Sequence, residues 1–573
     1  MKKYIKILLA LSLGMNVCSC LDFNPEDQLA DGNMWQAVSD FEYFANDFYS
    51  WTRDFSTVLY DAPHSDLRAD LVLSTNTNSF SHGNNTIPGS DKNYTDNYNH
   101  IRRTNMLLEK AEKYSGSGDL SRYVAEAKFF RAYSYFDLVQ LFGNVILIKK
   151  PLDVTSPEMN AARNDRGEVI DFIIQDLKEA ASSLPATVST DEEGRLTKWA
   201  AYAFLSRVAL YEGTWQKFHN GNTVRSSELL TIAAEAAKEV IDKGGYELFY
   251  SDKLKEYSYK YLFILENVRS NPASLTKSAN KEYIFYHRHD ETLLPIGKNV
   301  TTTVLASQSL TISRKFANLF LTQAGVPMDV NNEQLYQTPT SEFDNRDNRM
   351  KNIFLPNGVK YWNNTEKSSR NSWTAADESR ALTCDVRKGT GYMNQKWATE
   401  RYVNDTKEGY DYPIIRYAEV LLNYAEAVYE KCANDGNTED AKIDAALVYL
   451  NKVRKRVNPD MPDLTIEFAK AHSLNLQEEI RRERTIELFH EGFRLDDLKR
   501  WKTAEDEMPQ DVKGIRWIGT FQTLWGDASS KRKDNEGCLI LEDGRSWQNK
   551  NYLYPLPTDQ IQLNPNLGQN PEW

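Results

Sequence analysis

Charged residues recur at one-turn spacing between residues 483 and 500. Glu487 and Glu491 are one helical turn apart, and a glycoside hydrolase needs two carboxylates about 5 Å or 6.5–9.5 Å apart across a cleft. The surrounding acids and bases are three or four positions apart, which favours ion pairs between successive turns. The set is Glu483, Arg484, Glu487, Glu491, Arg494, Asp497 and Arg500. We interpret it as a structural ion-pair network rather than a catalytic site.

Two segments combine aromatic side chains with amides, carboxylates and bases. A sugar ring presents apolar C–H faces and a rim of hydroxyl groups, so its recognition needs aromatic platforms beside polar side chains. The candidate ligand-binding residues are Asp66, Arg68, Phe80, His82 and Tyr94 in residues 60–98, and Tyr361, Trp362, Asn363 and Trp373, with Trp397 at the end, in residues 356–397. Local packing within the loops is the alternative, most strongly for Tyr94, which heads a predicted helix.

Metal and cofactor signatures are weak in this sequence. It contains no Gly-x-Ser-x-Gly elbow, no phosphate loop and no His-Glu-x-x-His helix. His287 and His289 would share a face of a strand, but exposed strand histidines without a metal are far more common. Asp344 and Asp347 are loop carboxylates that could bind a structural calcium ion, although no calcium-loop signature surrounds them. The sequence therefore predicts no cofactor and no transition metal, and leaves calcium open.

The first residues predict export and lipidation. A basic start with three lysines precedes the apolar run 7–13, which is too short for a membrane-spanning helix. Val17-Cys18-Ser19-Cys20 resembles a bacterial lipobox, with Cys20 as the acylated residue and residues 1–19 as the signal peptide. Residues 20–34 are polar and acidic, predict a flexible tether, and resemble the surface-export signal of Bacteroidetes lipoproteins. The alternative is a plain signal peptide with two incidental cysteines.

Composition bounds the class of protein. The chain has 573 residues and a net charge of −12, which becomes −15 without residues 1–19 and their three lysines. This charge argues against a nucleic-acid partner or an anionic membrane surface. Mean hydropathy is −0.60 and no second long apolar run follows. Cys384, Cys432 and Cys538 are an odd trio, too widely spaced for a disulfide framework, and predict structural thiols.

Helical periodicity dominates both ends of the chain. Apolar residues three and four apart predict helices that pair with their neighbours. We predict helices at 94–114, 121–142, 167–184, 197–211 (ended by Gly213), 227–242, 413–432, 441–456, 477–490 and 493–502. Residues 250–412 lack this period and predict loops, with one short strand at Glu282–His287. We expect one globule from residue 35 to 573, with helix pairs at 35–249 and 413–573 on either side of the loop-rich insertion.

Four blocks in order carry a resemblance to a known family. They are residues 126–145 (EAKFFRAYSYFDLVQLFGNV), 413–427 (PIIRYAEVLLNYAEA), 483–501 (ERTIELFHEGFRLDDLKRW) and 554–571 (YPLPTDQIQLNPNLGQNP). Together with the lipobox they resemble the SusD/RagB family of outer-membrane nutrient-uptake lipoproteins over essentially the whole chain. Two departures are Ile146, where the family often has proline, and Glu572-Trp573 in place of a Gly-aromatic ending.

The resemblance implies a fold and a function. It implies a mainly α protein whose tetratricopeptide-like helix pairs form a right-handed superhelical scaffold carrying a large loop-rich insertion. Members of the family are anchored by lipid to the outer face of the outer membrane. There they cap a SusC-like, TonB-dependent transporter and deliver glycans, or in some members peptides, without catalysis. A surface glycoside hydrolase is the remaining alternative.

Overall fold

A computed structural model describes residues 34–306, 309–338, 340–356, 389–400, 406–436, 439–519, 522 and 527–573. The predicted signal peptide, Cys20 and all but the last residue of the predicted tether lie outside these residues. Across the part of the chain that is described, no helix combines the length and the apolar character needed to cross a bilayer.

Helices dominate the described residues, and the fold is mainly α, as the sequence predicts. In chain order the helices are α1 (Val38–Asn46), α2 (Phe55–Leu59), α3 (Lys92–Glu112), α4 (Ser121–Phe142), α5 (Arg166–Ser183), α6 (Lys198–Phe218), α7 (Thr223–Lys243), α8 (Ser258–Leu262), α9 (Arg314–Leu319), α10 (Arg349–Ile353), α11 (Tyr417–Asn434), α12 (Asp440–Lys455), α13 (Ile466–Ala471), α14 (Leu476–Glu487), α15 (Arg494–Arg500), α16 (Ala504–Glu507) and α17 (Thr558–Leu563).

Polar caps and one glycine fix the ends of the long helices. Asp91, Asp165 and Thr197 each accept a hydrogen bond from a backbone N–H group in the first turn of α3, α5 and α6. Those N–H groups have no partner inside the helix, so the caps stabilise the helix starts. Helix α4 is buried on most sides, as predicted, and ends at Gly143, whose φ of +74° favours glycine.

The long helices form one continuous layer. Helices α3 to α7 pack in sequence order, each against the next, and α7 then packs against α11, which packs against α12. Ala233, Ala236 and Ala237 of α7 are buried, and such small side chains allow close helix contact. Residues 244–416 therefore separate in sequence two helices that are neighbours in space.

Short antiparallel strands connect the loops. They are β1 (Val72–Ser74), β2 (Tyr283–His287), β3 (Leu310–Ile312), β4 (Phe354–Leu355), β5 (Met393–Asn394), β6 (Tyr412–Arg416), β7 (Val512–Arg516) and β8 (Cys538–Glu542). Among the described residues they form a sheet in the order β1-β3-β5-β4 and two pairs, β2-β6 and β7-β8. Strand β2 confirms the strand predicted at Glu282–His287.

The predicted end of a helix at Gly213 is wrong. Helix α6 continues through Gly213 to Phe218. A Cβ atom at Gly213 would lie 3.0 Å from the side chain of Leu230, on α7. The glycine therefore serves the close approach of α6 and α7 rather than a helix end.

The predicted helix start at Pro413 is also wrong. Pro413 lies in strand β6, opposite Tyr286 of β2, and helix α11 begins only at Tyr417. Proline suits a first helical turn, but it is also tolerated in an edge strand because it needs no donor there. The β-branched pair Ile414-Ile415 that follows favours the strand.

The predicted ion-pair network is confirmed, and it is buried. Arg416 contacts Glu487 at 2.7 Å, Glu491 at 2.7 Å and Glu282 at 2.9 Å. Each other predicted member is also paired: Glu483 with Arg349, Arg484 with Asp497, Arg494 with Asp70, and Arg500 with Glu426 and Asp497. The network joins β6, α10, α14 and α15 and includes Glu282, just before β2, so charge pairing adds to apolar contact in holding these elements together.

The described cysteines behave as predicted. Cys432 and Cys538 are free and buried, which agrees with structural thiols. Cys384 lies outside the described residues.

Candidate functional site

A cleft of about 840 Å³ opens among loops of the 250–412 segment. One wall is residues 253–261, which include α8, and the other is residues 340–351, which lead into α10. Pro356, Gln395 and Glu400 also line the cleft, and Asp460 closes one side from the C-terminal part of the chain. The cleft is therefore built mainly by irregular segments that the helical layer supports.

Two aromatic rings are available in this cleft. Tyr257 is 40 % exposed, and Phe343 is half-buried. The Lys351 ammonium group lies 5.4 Å from the centroid of the Tyr257 ring. A partly exposed ring with a flanking cation can hold an apolar face of a ligand while a polar group stands beside it.

Polar side chains surround the rings. Lys253, Asp344, Asn345 and Asp460 line the cleft and are exposed. Carboxylates and amides accept and donate hydrogen bonds, and lysine donates them. The rim can therefore satisfy several hydroxyl groups of one ligand.

The floor of the cleft is already paired. Glu400 is 4 % exposed; it accepts a hydrogen bond from the Tyr261 hydroxyl at 2.6 Å and forms an ion pair with Lys260. Gln395 donates to the carbonyl groups of Lys351 and Phe354. These contacts pair most of the polar atoms of the floor, although Gln395 Oε1 has no protein partner among the described residues, and the exposed rim side chains are available to a ligand.

Hydrogen bonds to neighbouring segments fix the backbone of residues 340–348, one wall of the cleft. Asn348 donates from Nδ2 to the carbonyl of Val457 at 2.7 Å, and its backbone N–H donates to Asn458 Oδ1 at 2.7 Å. Asn345 has φ of +55°, a left-handed conformation that asparagine tolerates better than most residues. Its carbonyl accepts from the backbone N–H of Gln323 at 3.0 Å, so the turn presents the Asn345 side chain from a fixed backbone.

The structure places the sequence-predicted residues of the 60–98 segment away from this cleft and largely inside the protein. The Arg68 guanidinium lies 3.6 Å from the centroid of Phe80 and donates to the Tyr554 hydroxyl at 2.7 Å. Phe80 also stacks on Tyr554, with ring centroids 5.1 Å apart. Both faces of the Phe80 ring thus contact protein, and the pair fastens this segment to the C-terminal tail.

The other three predicted residues of this segment are buried. Tyr94 packs against Phe142, and His82 donates from Nδ1 to the carbonyl of Asn78 at 3.1 Å. Asp66 accepts from the backbone N–H of Arg494, and burial raises the pKa of Asp66 to about 7. These contacts show that Asp66, His82 and Tyr94 contribute to packing inside the protein. A ligand-binding role for them stays a prediction.

In the second predicted segment, Tyr361, Trp362, Asn363 and Trp373 lie outside the described residues. Trp397 is described, and it is buried rather than a platform. Its indole N–H donates to the carbonyl of His490 at 3.0 Å, and its ring packs against Phe55 and Phe263. Trp397 therefore links the insertion to the helices.

Two of the candidate metal ligands, Asp347 and His287, have protein partners in the structure. Asp347 pairs with Arg349 at 2.6 Å, so it does not offer a free carboxylate to calcium beside Asp344. His287 lies 2.8 Å from the Thr52 hydroxyl, and burial lowers its pKa. Within the described ranges, the acidic and thiol groups close enough to share a metal ion are Asp534, Glu536 and Cys538, a set that the sequence reasoning did not single out.

The carboxylates considered for glycoside hydrolysis are not arranged for it. Burial alone would raise the pKa of Glu487, but Arg456, Arg416 and Arg349 outweigh it and lower the pKa to about 2. The pKa of Glu491 is also lowered, because Arg416 and Lys396 outweigh burial. A glycosidase general acid needs a raised pKa, so this pair serves structure.

The fold and the cleft define a class: a mainly helical protein that carries a loop-built cleft. A model of the SusD family matches residues 267–573, more than half of the chain, and a model described as starch-binding associating with outer membrane matches residues 25–210. The chain belongs to the SusD family.

Relatives and solved structures agree with this membership. SusD-like protein P2 of Formosa agariphila is 26 % identical, and the alignment covers 100 % of this chain and 99 % of that protein. A SusD-like protein from Bacteroides fragilis has a TM-score of 0.71 at 25 % identity, covering 96 % of this chain and 100 % of that one. A SusD-like carbohydrate binding protein from the same species has a TM-score of 0.69 at 22 % identity, covering 93 % and 99 %.

Proposed function

We propose that this chain is a surface lipoprotein that binds glycan and passes it to a SusC-like, TonB-dependent outer-membrane transporter without cleaving it. The observation that carries the binding role is the cleft at Tyr257, where an exposed ring adjoins exposed amide, carboxylate and ammonium groups. Membership of the SusD family supports the same role, and so does a solved neighbour of the same fold described as carbohydrate binding.

The proposal assigns roles to individual side chains. Tyr257 provides the platform for an apolar sugar face, while Asn345 and Asp344 on the opposite wall meet its hydroxyl groups. Tyr361, Trp362, Asn363 and Trp373 follow Pro356, a lining residue, in the sequence and are proposed as further ligand contacts. A paired floor and an open rim suit capture and release of a ligand rather than chemistry on it.

A binding screen tests the glycan role. The soluble chain from residue 21 is titrated by affinity gel and calorimetry against plant, fungal and host polysaccharides, and each ligand found is repeated with Tyr257→Ala, Trp362→Ala and Trp373→Ala. We expect Tyr257→Ala to weaken binding about 5- to 150-fold, the range that corresponds to the roughly 1–3 kcal/mol of a base stacked on one aromatic side chain. Tyr43→Ala is the matched control, because Tyr43 is 72 % exposed and does not line the cleft.

The alternatives give different results in the same screen. Release of reducing sugar from any polysaccharide would contradict a non-catalytic role. Binding of peptides without any glycan would assign the chain to peptide capture. Glycan binding that survives Tyr257→Ala and disappears in Trp362→Ala would move the site away from the 253–261 wall.

The proposed anchor has its own test. Cells expressing the full chain are labelled with a radioactive fatty acid, and Cys20→Ser is compared with Cys18→Ser. We expect label on the parent chain and on Cys18→Ser only. Label on Cys20→Ser, or protease resistance of the chain on intact cells, would contradict the proposed surface lipoprotein.

A further inference from the structure

His64 lies between two carboxylates in the interior. Its Nδ1 donates to Asp496 Oδ2 at 2.8 Å, and its Nε2 lies 2.8 Å from Asp137 Oδ1. The side chains of His64 and Asp496 are 6 % and 7 % exposed. The three residues come from different parts of the chain: the segment after α2, helix α4 and helix α15.

This geometry selects one protonation state. A neutral imidazole carries a single N–H, so one ring nitrogen would hold a lone pair beside a carboxylate oxygen only 2.8 Å away. An imidazolium carries a proton on both nitrogens and is attracted to both carboxylates. We propose that His64 is held as an imidazolium between Asp137 and Asp496, and that loss of its proton loosens the junction of the 60–70 segment with α4 and α15.

The charged neighbours support this assignment. Arg53 lies 3.5 Å from Asp496 and 3.9 Å from Asp137, so Arg53 and a protonated His64 together balance the two carboxylates. Asn97 donates to the other oxygen of Asp137 at 3.0 Å. Other titratable groups that act on this cluster are His100 on α3, Lys499 on α15, Tyr133 on α4, Tyr211 on α6, Tyr412 on β6 and Tyr554 in the tail.

The pKa directions separate His64 from other buried histidines. Burial and Arg53 act to lower the pKa of His64, but Asp496 and Asp137 outweigh them and raise it. For His100, His219, His289 and His490, burial lowers the pKa to about 4. The pKa of His64 is therefore shifted in the opposite direction from the pKa of these four histidines.

The sign of the pH effect follows from the raised pKa. The stabilising contribution of His64 is fully present below its unfolded-state pKa of about 6.5 and is lost as pH rises through its higher folded-state pKa. Lys499 acts in the opposite direction, because burial outweighs the attraction of Asp496 and lowers the pKa of Lys499 to about 8. A measurement on His64 itself is therefore the decisive one.

Nuclear magnetic resonance of the soluble full chain, labelled with ¹³C and ¹⁵N in histidine only, reads that state directly. The His64 signal is assigned by its loss in His64→Gln or, where that variant does not fold, by its displacement in Asp137→Asn. We expect imidazolium shifts for His64 at pH 7.5, and an apparent pKa nearer 6.5 in Asp137→Asn, where one carboxylate is absent. Neutral-imidazole shifts for His64 at pH 6.5 would overturn the proposal.

Hydrogen exchange tests the mechanical part of the proposal. After correction for the intrinsic rate at each pH, amides of residues 60–70 and 490–497 should lose protection between pH 6.5 and 9. The expected loss is about tenfold for each unit by which the folded pKa exceeds the unfolded one. His472→Gln, at an exposed histidine, should behave like the parent chain. Protection that is unchanged across this range while His64 loses its proton would refute the loosening.

Discussion

The helical layer and the loop-built cleft use charge in opposite ways. In the layer and its junctions, carboxylates such as Glu487 and Glu491 are buried and paired with arginine or lysine side chains. Around the cleft, Asp344 and Asp460 are exposed. Buried charge must be paired because an unpaired one costs several kcal/mol, whereas an exposed one stays free to exchange water for a ligand. The paired, buried charges of the helical layer therefore maintain the fold, whereas the exposed charges around the cleft can change their contacts.

Breaking the buried network should produce the largest effect. Glu487→Ala removes one of the two carboxylates that Arg416 and Arg456 share, and leaves them only Glu282 in common. We expect a loss of about 3–5 kcal/mol in the free energy of unfolding, measured by denaturant titration. Asp242→Ala, which removes an exposed pair with Lys238, should cost about 0.5 kcal/mol or less. Equal losses of unfolding free energy in the two variants would remove the contrast between buried and exposed charges.

Acid should act on the same network. The pKa of Glu426 is lowered to about 2, because Arg500 and Arg484 outweigh burial, and that of Glu487 is also about 2. A depressed pKa means that these groups stabilise the fold above their unfolded-state pKa of about 4.3, and that this stability is lost as pH falls toward 2. Unfolding midpoints from pH 6 to 2 should drop mainly below pH 4.5. A drop complete by pH 5 would implicate other groups.

Crowding the helix layer should give an intermediate effect. Gly213→Ala places a Cβ atom 3.0 Å from Leu230 at the contact of α6 and α7. Overpacking of this kind costs about 1–3 kcal/mol, which exceeds the gain expected from alanine inside a helix. Gly89→Ala, where no atom lies within 4 Å of the new Cβ, is the control for thermal unfolding. Stabilisation by Gly213→Ala would mean that the layer has room at this point.

The cleft should show the smallest effect on stability. Tyr257 is exposed and supports none of the buried contacts, so Tyr257→Ala should change the free energy of unfolding by about 0.5 kcal/mol or less. Glycan affinity should nevertheless fall, which separates a binding residue from a folding residue. A large loss of stability in Tyr257→Ala would instead show that this side chain helps to hold the fold together.

The sequence predicts the helical layer and its buried ion pairs better than it predicts the cleft. A regular apolar period reveals α4 with its observed ends, and alternating charge reveals the network around Glu487, because both patterns repeat over several turns. Gly213 and Pro413 led to wrong predictions because each residue type suits two structures. Glycine suits a helix end or a close helix contact, and proline suits a first helical turn or an edge strand. The neighbour that decides between the two structures is distant in sequence. Tertiary contact at Leu230 and strand pairing with Tyr286 settle the two cases.

No repeating sequence pattern of this kind marks the residues that line the cleft. Tyr257, Tyr259 and Tyr261 alternate within five residues, yet only the first of the three is exposed. Their exposure depends on where loops 340–348 and 389–400 lie, which local sequence does not encode. The same limit applies to the 60–98 segment, where Arg68 and Phe80 have the composition of a ligand site but contact Tyr554 instead.

The pairing of β4 with β5 has a consequence for how this lineage can diversify. Phe354 lies opposite Asn394 and Leu355 opposite Met393, so the connection between these strands departs from and returns to one place beside the cleft. Doubling the length of such a connection adds only about 0.6 kcal/mol of closure entropy. The framework that carries β4 and β5 therefore tolerates changes in the length of this connection at little cost in stability.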